Sequence, residues 1–239
     1  MGAIFRDFVK PVIRFKDLGN GSYSPIGATG TGFTFGEGTF ITCGHCVTQG
    51  LPEDEVYGVP IELNGIPASG VAVLANISRD ENGADLAVAN VGISSNRGFH
   101  LADEPALWGE EVVSFCYPLT ENTVNPKTGE PLIKTQARVF RGYVISVIDG
   151  DMHDRRPTRV YELDMPAPKW SSGSPVFRLN PFELVGVVQG QRSSAVGDDD
   201  FGFEYSLAHH LEVLSNIRGD ATGGKSLAEV LRVHANQGS

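Results

Sequence analysis

The chain has 239 residues, few cysteines and a formal net charge of −10 at pH 7. This acidic balance argues against nucleic acid or an anionic membrane surface as the main partner. No window of about 18 apolar residues is present, so we expect no membrane span. Residues 1–7 lack a charged region followed by a long apolar run, so we expect no signal peptide and a cytoplasmic location.

The three cysteines are Cys43, Cys46 and Cys116. An odd, low number without a secretion signal indicates free thiols in a reducing compartment. Cys43 and Cys46 form a C-x-x-C motif around His45, which raises two alternatives. A zinc site needs a second pair of ligands, and the sequence contains no such pair. A redox motif would follow a β-α-β pattern, which the sequence also lacks. We therefore expect no metal and no cofactor.

Short runs of β-branched and aromatic residues recur along the chain before Ser206, separated by turns rich in glycine and proline. Runs of this length and spacing predict antiparallel strands in a barrel or a sandwich, and their number suggests two such units. Residues 92–105 show no periodicity and divide the chain into halves with roughly five strand candidates each.

After Ser206 the spacing of apolar residues becomes helical. They recur in two groups, Leu207, Leu211, Val213 and Leu214, then Leu227, Val230, Leu231 and Val233, on either side of Gly223 and Gly224. This pattern predicts two short amphipathic helices, and Ser226 with Glu229 predicts a capping box at the start of the second. We expect the helices to pack against the β-structure, and a helix that docks a partner is the alternative.

Residues 169–177, K-W-S-S-G-S-P-V-F, form the most informative stretch. They follow a proline-rich approach that excludes a helix interior or a central strand. The small residues therefore predict a tight, exposed loop that leads into a strand. Such a loop can present a serine hydroxyl and converging backbone N–H groups, as a nucleophile with an oxyanion hole requires. Taken alone, the stretch fits an ordinary turn as well.

Two upstream residues strengthen the catalytic interpretation. His45 follows a predicted strand between Gly44 and Cys46, where both ring nitrogens can be free for positioned partners. Asp85 opens an apolar strand that can carry its carboxylate inward, where it needs a partner such as an imidazole N–H. The chain order His, Asp, Ser predicts a triad in which a serine attacks, His45 transfers protons and Asp85 orients the ring.

Five segments carry a resemblance to a known family. They are G-T-G-F at 30–33, T-C-G-H-C-V at 42–47, D-L-A-V at 85–88, Y-P at 117–118 and S-G-S-P-V-F at 172–177. In these segments the chain resembles the chymotrypsin-fold serine peptidases, particularly the bacterial and viral trypsin-like, glutamyl-endopeptidase-like and HtrA-like members. The resemblance covers residues 28–210 and implies an all-β protein of two antiparallel six-stranded barrels with C-terminal helices.

The resemblance also implies roles and boundaries. It makes residues 1–100 a barrel carrying His45 and Asp85, residues 101–205 a barrel carrying Ser172, and residues 206–239 a helical segment. Ser172 is the implied nucleophile, and the N–H groups of Trp170 and Ser172 form the implied oxyanion hole. Two positions depart from the family: Trp170 replaces the usual glycine, and Ser171 replaces the usual aspartate or asparagine. An aspartate there would form an ion pair with a newly freed N-terminus, so activation by that route is not implied.

The substrate pocket is less well defined by the resemblance. It places Val188 where glutamate-specific members have histidine and no aspartate at the pocket base, so neither glutamate nor trypsin-like preference is indicated. Glu204 favours a basic substrate side chain if it reaches the pocket. The implied substrate-binding residues are Lys169, Val188, Gln189, Gly190 and Glu204.

We therefore expect a serine endopeptidase that forms an acyl-enzyme on a protein or peptide substrate. A dedicated intracellular substrate is expected, or an activating protein partner, with no nucleic acid or membrane partner. The alternative is a pseudoprotease or partner-gated scaffold in which Trp170 closes the oxyanion hole.

Overall fold

The computed structural model describes residues 2–35, 37–48, 50–61, 70–80, 84–94, 99–124, 126–127, 129, 131–149, 159–195 and 202–230. Its strands form two closed six-stranded barrels. The first contains β1 (Val9–Gly19), β2 (Ser22–Phe35), β3 (Glu37–Cys43), β4 (Glu55–Pro60), β5 (Val71–Arg79) and β6 (Leu86–Ser94). The second contains β7 (Glu111–Val124), β8 (Pro131–Asp149), β9 (Arg159–Leu163), β10 (Pro175–Arg178), β11 (Glu183–Ala195) and β12 (Gly202–His210). The predicted all-β double barrel is confirmed.

Both barrels are antiparallel Greek-key-like closures rather than simple meanders. The order around the first is β1-β2-β3-β6-β5-β4, and around the second β10-β11-β12-β9-β8-β7. In the first barrel β6 pairs with β3 from Ala87 opposite Thr42 to Leu86 opposite Cys43. This register brings the chain just before β6 next to the chain just after β3. His45 and Asp85 lie in those two connections.

An apolar core lies between the barrels as well as inside them. One buried cluster combines Phe33 and Ile41 of the first barrel with Val113, Phe177 and Leu184 of the second. Phenylalanine rings extend this cluster to the N-terminal helix α1 (Gly2–Phe8), where the Phe5 ring stacks on a ring of β7. Because burial of apolar area is the main favourable term in folding, this shared core fixes how the barrels meet.

The end of the chain differs from the helical pattern predicted for it. Leu207 lies in β12, which continues to His210, and helix α2 (Leu211–Asn216) begins only there. β12 runs between β11 and β9, and Ser206 through His210 are buried throughout, so its burial shows no period of two. A short apolar run buried on both faces has no strand signature in sequence, which explains the wrong helix start.

The second predicted helix is described only at its start. Residues 227–230 are helical, whereas the predicted Leu231 and Val233 positions lie outside the described residues. The predicted capping box is confirmed. Ser226 N–H donates to Glu229 Oε2 at 2.7 Å, and Glu229 N–H donates to Ser226 Oγ at 3.3 Å. No helix in the described ranges is long and apolar enough to cross a membrane.

His210 makes folding stability depend on pH. Its buried ring caps α2 by accepting the N–H of Glu212 at 3.1 Å, and burial lowers the pKa of His210 to about 4. An unfolded histidine has a pKa of about 6.5, so the unfolded chain binds more protons between these values. The free energy of unfolding therefore falls as pH falls from about 6.5 to 4, by about 2–3 kcal/mol from this residue.

The variant His210→Asn tests this, since asparagine keeps a capping oxygen but does not titrate. Urea unfolding at pH 4.5 and pH 7 should show a smaller loss of stability in His210→Asn than in the wild type. The difference between the two chains isolates His210, because other groups titrate equally in both. Equal pH dependence in both chains would contradict the assignment.

Candidate active site

The imidazole of His45 is held by the carboxylate of Asp85. His45 lies in a short 3-10 helix, Gly44–Cys46, directly after β3, and Asp85 directly precedes β6. The ring donates from Nδ1 to Asp85 Oδ2 at 2.5 Å, and the backbone N–H of His45 donates to Asp85 Oδ1 at 2.8 Å. A carboxylate only accepts, so in the neutral ring the proton lies on Nδ1 and Nε2 is the acceptor.

The same contacts set the charges of the pair. Burial opposes ionisation of Asp85, but the hydrogen bonds and charge of His45 outweigh it and lower the pKa of the carboxyl. The hydrogen bond to Asp85 raises the pKa of His45 above its usual value. Asp85 therefore stays ionised at neutral pH, and its charge stabilises the protonated form of the His45 ring.

Ser172 lies in the loop between β9 and β10, and this loop is hydrogen-bonded to the first barrel. The N–H of Thr31, in β2, donates to the Ser172 carbonyl at 2.8 Å. The Thr31 hydroxyl donates to the Trp170 carbonyl at 2.7 Å. These bonds cross from one barrel to the other, so β2 of the first barrel holds the loop of the second. Thr31 belongs to the G-T-G-F segment of the sequence.

The loop contacts the residue that follows His45. The Cys46 thiol donates to the Ser172 carbonyl at 3.5 Å. A Cβ added to Gly30 would meet Cys46 Sγ at 2.3 Å and the Ser172 carbonyl oxygen at 2.9 Å, so this junction has no room for a side chain. Within the described residues, no hydrogen bond joins the Ser172 hydroxyl to the His45 ring. Such bonds are often long before substrate binds and tighten in the complex.

Two backbone donors of the loop are left open. Among the described residues, the N–H groups of Trp170 and Ser172 have no hydrogen-bond acceptor. The neighbouring N–H groups of the loop donate to backbone oxygens: Ser171 to Pro168, Gly173 to Val188, and Ser174 to Ser171. The two open N–H groups are the pair that the sequence predicts for the oxyanion hole, and they can donate to a developing oxyanion.

The backbone of this loop requires unusual conformations. Gly173 has φ of 89°, and a Cβ there would lie 1.9 Å from the Thr31 carbonyl oxygen, so only glycine fits. Trp170 has φ of 73°, in the left-handed region that costs a non-glycine residue about 1–2 kcal/mol. The family's usual glycine at this position is explained by the same conformation. Lys169 Nζ lies over the Trp170 ring at 4.3 Å from its centroid.

Behind Asp85 lies a second set of polar side chains. His209 of β12 is buried, and its Nε2 lies 3.1 Å from the Asp85 carbonyl oxygen. Cys43, at the end of β3, is also buried, and its thiol donates to the Val188 carbonyl at 3.2 Å. Burial raises the pKa of the Cys43 thiol well above its usual value. Cys43, Cys46 and Cys116 are all buried and free of disulfide bonds.

The predicted substrate-binding residues differ in exposure. Lys169 and Glu204 are exposed, and Gln189 and Gly190 are half-buried in β11. The Val188 side chain packs in the core of the second barrel, and its backbone N–H and C=O bind the serine loop. Val188 therefore faces the core, while its neighbours remain available to a ligand.

Sequence reasoning missed Thr31 and His209. Thr31 was part of a recognised segment, but nothing showed that its N–H and hydroxyl would bind the serine loop. His209 lay in a segment predicted as helical, where its contact with Asp85 had no signal. Only the pairing of β12 with β11, with Val187 opposite His209, reveals it.

Fold and site together define a double-barrel serine peptidase, with the His–Asp pair on one barrel and the serine loop on the other. The sequence model of the trypsin-like peptidase domain matches residues 30–187. The chain belongs to this family of serine endopeptidases.

Solved structures share the fold. The active form of the Rv3671c protease from M. tuberculosis superposes with a TM-score of 0.55 at 21% identity, over 89% of this chain and 80% of that chain. An inactive serine-to-alanine mutant of it gives 0.54 at 20% identity, covering 93% and 87%. A further inactive form gives 0.53 at 20%, covering 92% and 88%. No curated protein sequence matches the chain.

Proposed function

We propose that this trypsin-like peptidase hydrolyses peptide bonds through His45, Asp85 and Ser172, with the N–H groups of Trp170 and Ser172 as its oxyanion hole. The paired bonds from His45 to the Asp85 carboxylate carry the proposal. In the neutral ring they leave His45 Nε2 as a proton acceptor, on a side chain that is 49% exposed. Ser172 lies on a loop that contacts Cys46, the next residue in the chain.

The proposed reaction has two halves. His45 Nε2 takes the hydroxyl proton as Ser172 Oγ attacks the scissile carbonyl carbon, and the oxyanion receives hydrogen bonds from Trp170 and Ser172. The imidazolium, stabilised by Asp85, then gives its proton to the leaving amine, and an acyl-enzyme remains. Water, deprotonated by His45, attacks the acyl carbon and releases Ser172. Each oxyanion donor typically contributes about 3–4 kcal/mol of transition-state stabilisation.

We further propose that the substrate lies against Lys169, Gln189, Gly190 and Glu204, with Val188 contributing its backbone. Gln189 Oε1 is buried without a hydrogen-bond partner among the described residues. An unpaired buried acceptor is costly, so a donor on the substrate would be selected there. Three buried free thiols are typical of a protein in a reducing compartment, and this supports an intracellular protein as the dedicated substrate. Profiling of cleavage sites in a proteome digest identifies the preferred side chains.

A fluorophosphonate probe, which reacts with an activated serine, tests the proposal. The wild type should be labelled and Ser172→Ala should not. Ser171→Ala is the matched control, because Ser171 is the adjacent serine, buried with its hydroxyl 3.6 Å from Cys116 Sγ. It should remain labelled. Labelling that survives in Ser172→Ala would reject Ser172 as the nucleophile.

A partner-gated scaffold is the second candidate, and the strained Trp170 backbone favours it. The variant Trp170→Gly separates the two functions, because glycine relieves the left-handed strain and keeps the N–H. If the oxyanion hole of the wild type is formed, the wild type and Trp170→Gly should be labelled at rates within about 10-fold of each other, because both chains keep the same N–H donors. If Trp170→Gly is labelled and the wild type is not, the result would establish instead that Trp170 closes the oxyanion hole.

A further inference from the structure

Three potential metal ligands meet beside the catalytic pair. Cys43 Sγ, a carboxylate oxygen of Asp85 and a ring nitrogen of His209 all lie within 4.8 Å of one another. They come from β3, from the turn before β6 and from β12, so both barrels contribute. Cys43 and His209 are buried, and Asp85 is 22% exposed.

The chemistry of these ligands selects the metal. Thiolate, imidazole and carboxylate are the usual ligands of Zn²⁺, whereas Ca²⁺ and Mg²⁺ prefer oxygen ligands. Zinc bonds of about 2.0–2.3 Å in a tetrahedral site place the ligand atoms roughly 3.3–3.8 Å apart. At the upper limit of 4.8 Å the three atoms need to approach by about an ångström, and the fourth position is left for water.

We propose that Zn²⁺ binds Cys43, Asp85 and His209 and thereby inhibits the peptidase. The inference of inhibition rests on the proposed function, since it requires Asp85 to support His45. Both oxygens of Asp85 accept hydrogen bonds from His45, at 2.8 and 2.5 Å. A bond from Asp85 to zinc competes directly with these two contacts. Loss of either one frees the ring to turn away from the orientation in which Nε2 accepts a proton.

Binding also exchanges other bonds. The Cys43 thiol releases its proton to solvent as the sulfur–zinc bond forms, and its hydrogen bond to the Val188 carbonyl is lost. The same Val188 carbonyl oxygen also accepts a hydrogen bond from the Gly173 N–H, at 2.8 Å. The zinc site is therefore one hydrogen-bond step from the serine loop as well as in contact with Asp85. Zinc acts here as an inhibitor of the site.

Metal binding is tested directly in the full chain. Titration with Co²⁺ should produce the ultraviolet charge-transfer band of a cobalt–thiolate bond, and Zn²⁺ should displace it. Cys43→Ala should lose the band and weaken Zn²⁺ binding by more than about 10-fold. Cys46→Ala, which removes the other thiol of the same motif, should keep both. Absence of the band in the wild type, or its loss only in Cys46→Ala, would overturn the site.

Inhibition is tested separately by peptide hydrolysis with and without Zn²⁺, followed by a chelator. Each chain is compared with its own activity without added metal. Wild type and Cys46→Ala should lose that activity with Zn²⁺ and regain it with the chelator, whereas Cys43→Ala should be insensitive to both. A Co²⁺ band in a chain with no activity would preserve the metal site and reject the proposed function. Zinc binding that leaves an active enzyme unaffected would reject the inhibition. Equal inhibition of Cys43→Ala would assign the effect to another metal site.

Discussion

Replacing Ser172 or His45 by alanine will each lower kcat by on the order of 10⁵- to 10⁶-fold for peptide hydrolysis. Alanine at position 172 removes the atom that attacks the carbonyl. Alanine at position 45 removes the group that takes the proton from the attacking hydroxyl, and an unassisted serine hydroxyl is a weak nucleophile at neutral pH. Because the two act as one unit, the double variant should be no slower than either single one.

The measurement is steady-state hydrolysis of a peptide taken from the cleavage-site profile, with unfolding temperature as the check on folding. Ser171→Ala serves as the control and should stay within about 10-fold of the wild type, since its hydroxyl contacts Cys116 and no proposed catalytic group. Additive losses in the double variant would show that Ser172 and His45 act in separate steps. Wild-type turnover in either single variant would reject that residue.

Much of this fold could be predicted because its signals are local. Turn residues between short apolar runs mark strands wherever one face is buried and the other is not. The capping box at Ser226 is equally local, since both of its partners lie within one turn. The start predicted for the first helix, near Leu207, is wrong for the opposite reason. From Ser206 to His210, β12 is buried on both faces, and the sequence there does not distinguish a strand from a helix.

The same distinction separates the predicted site residues from the missed ones. His45, Asp85 and Ser172 each lie in a short segment with a recognisable residue pattern. Thr31 acts on the serine loop through its backbone N–H and a hydroxyl, across 139 positions of sequence for its bond to Trp170. His209 reaches Asp85 across 124 positions. Contacts between residues so far apart in sequence depend on how the barrels close and pack together, and a local residue pattern does not encode this.

The metal prediction illustrates this point further. The sequence argued against zinc because the C-x-x-C motif has no second ligand pair nearby in the chain. In the structure the two cysteines of that motif make different contacts. The Cys43 thiol donates to the Val188 carbonyl and lies in the cluster with Asp85, whereas the Cys46 thiol donates to the Ser172 carbonyl. The potential ligand set uses only one of its cysteines. Its other members are spread over both barrels, where ligand spacing in sequence gives no signal.

Replacing Asp85 by asparagine will lower kcat by about 10⁴-fold while the fold is retained. Asp85 accepts two hydrogen bonds with its two oxygens, one from the His45 backbone N–H and one from the ring. Asparagine has a single oxygen, so only one of these donors keeps its acceptor. When the backbone N–H keeps it, the amide NH₂ faces Nδ1, and the ring proton moves to Nε2. Nε2 then no longer accepts the Ser172 proton.

The same variant will shift the pH profile. Activity requires neutral His45, so it rises with pH through the pKa of that ring, and the hydrogen bond to Asp85 raises this pKa. Asparagine carries no charge, so the midpoint should move to lower pH in Asp85→Asn even as the plateau falls. Asp103→Asn, at an exposed carboxylate in the segment that connects β6 to β7, should change neither value. An unmoved midpoint, or a loss of kcat below about 10-fold, would show that Asp85 does not hold the ring for proton transfer.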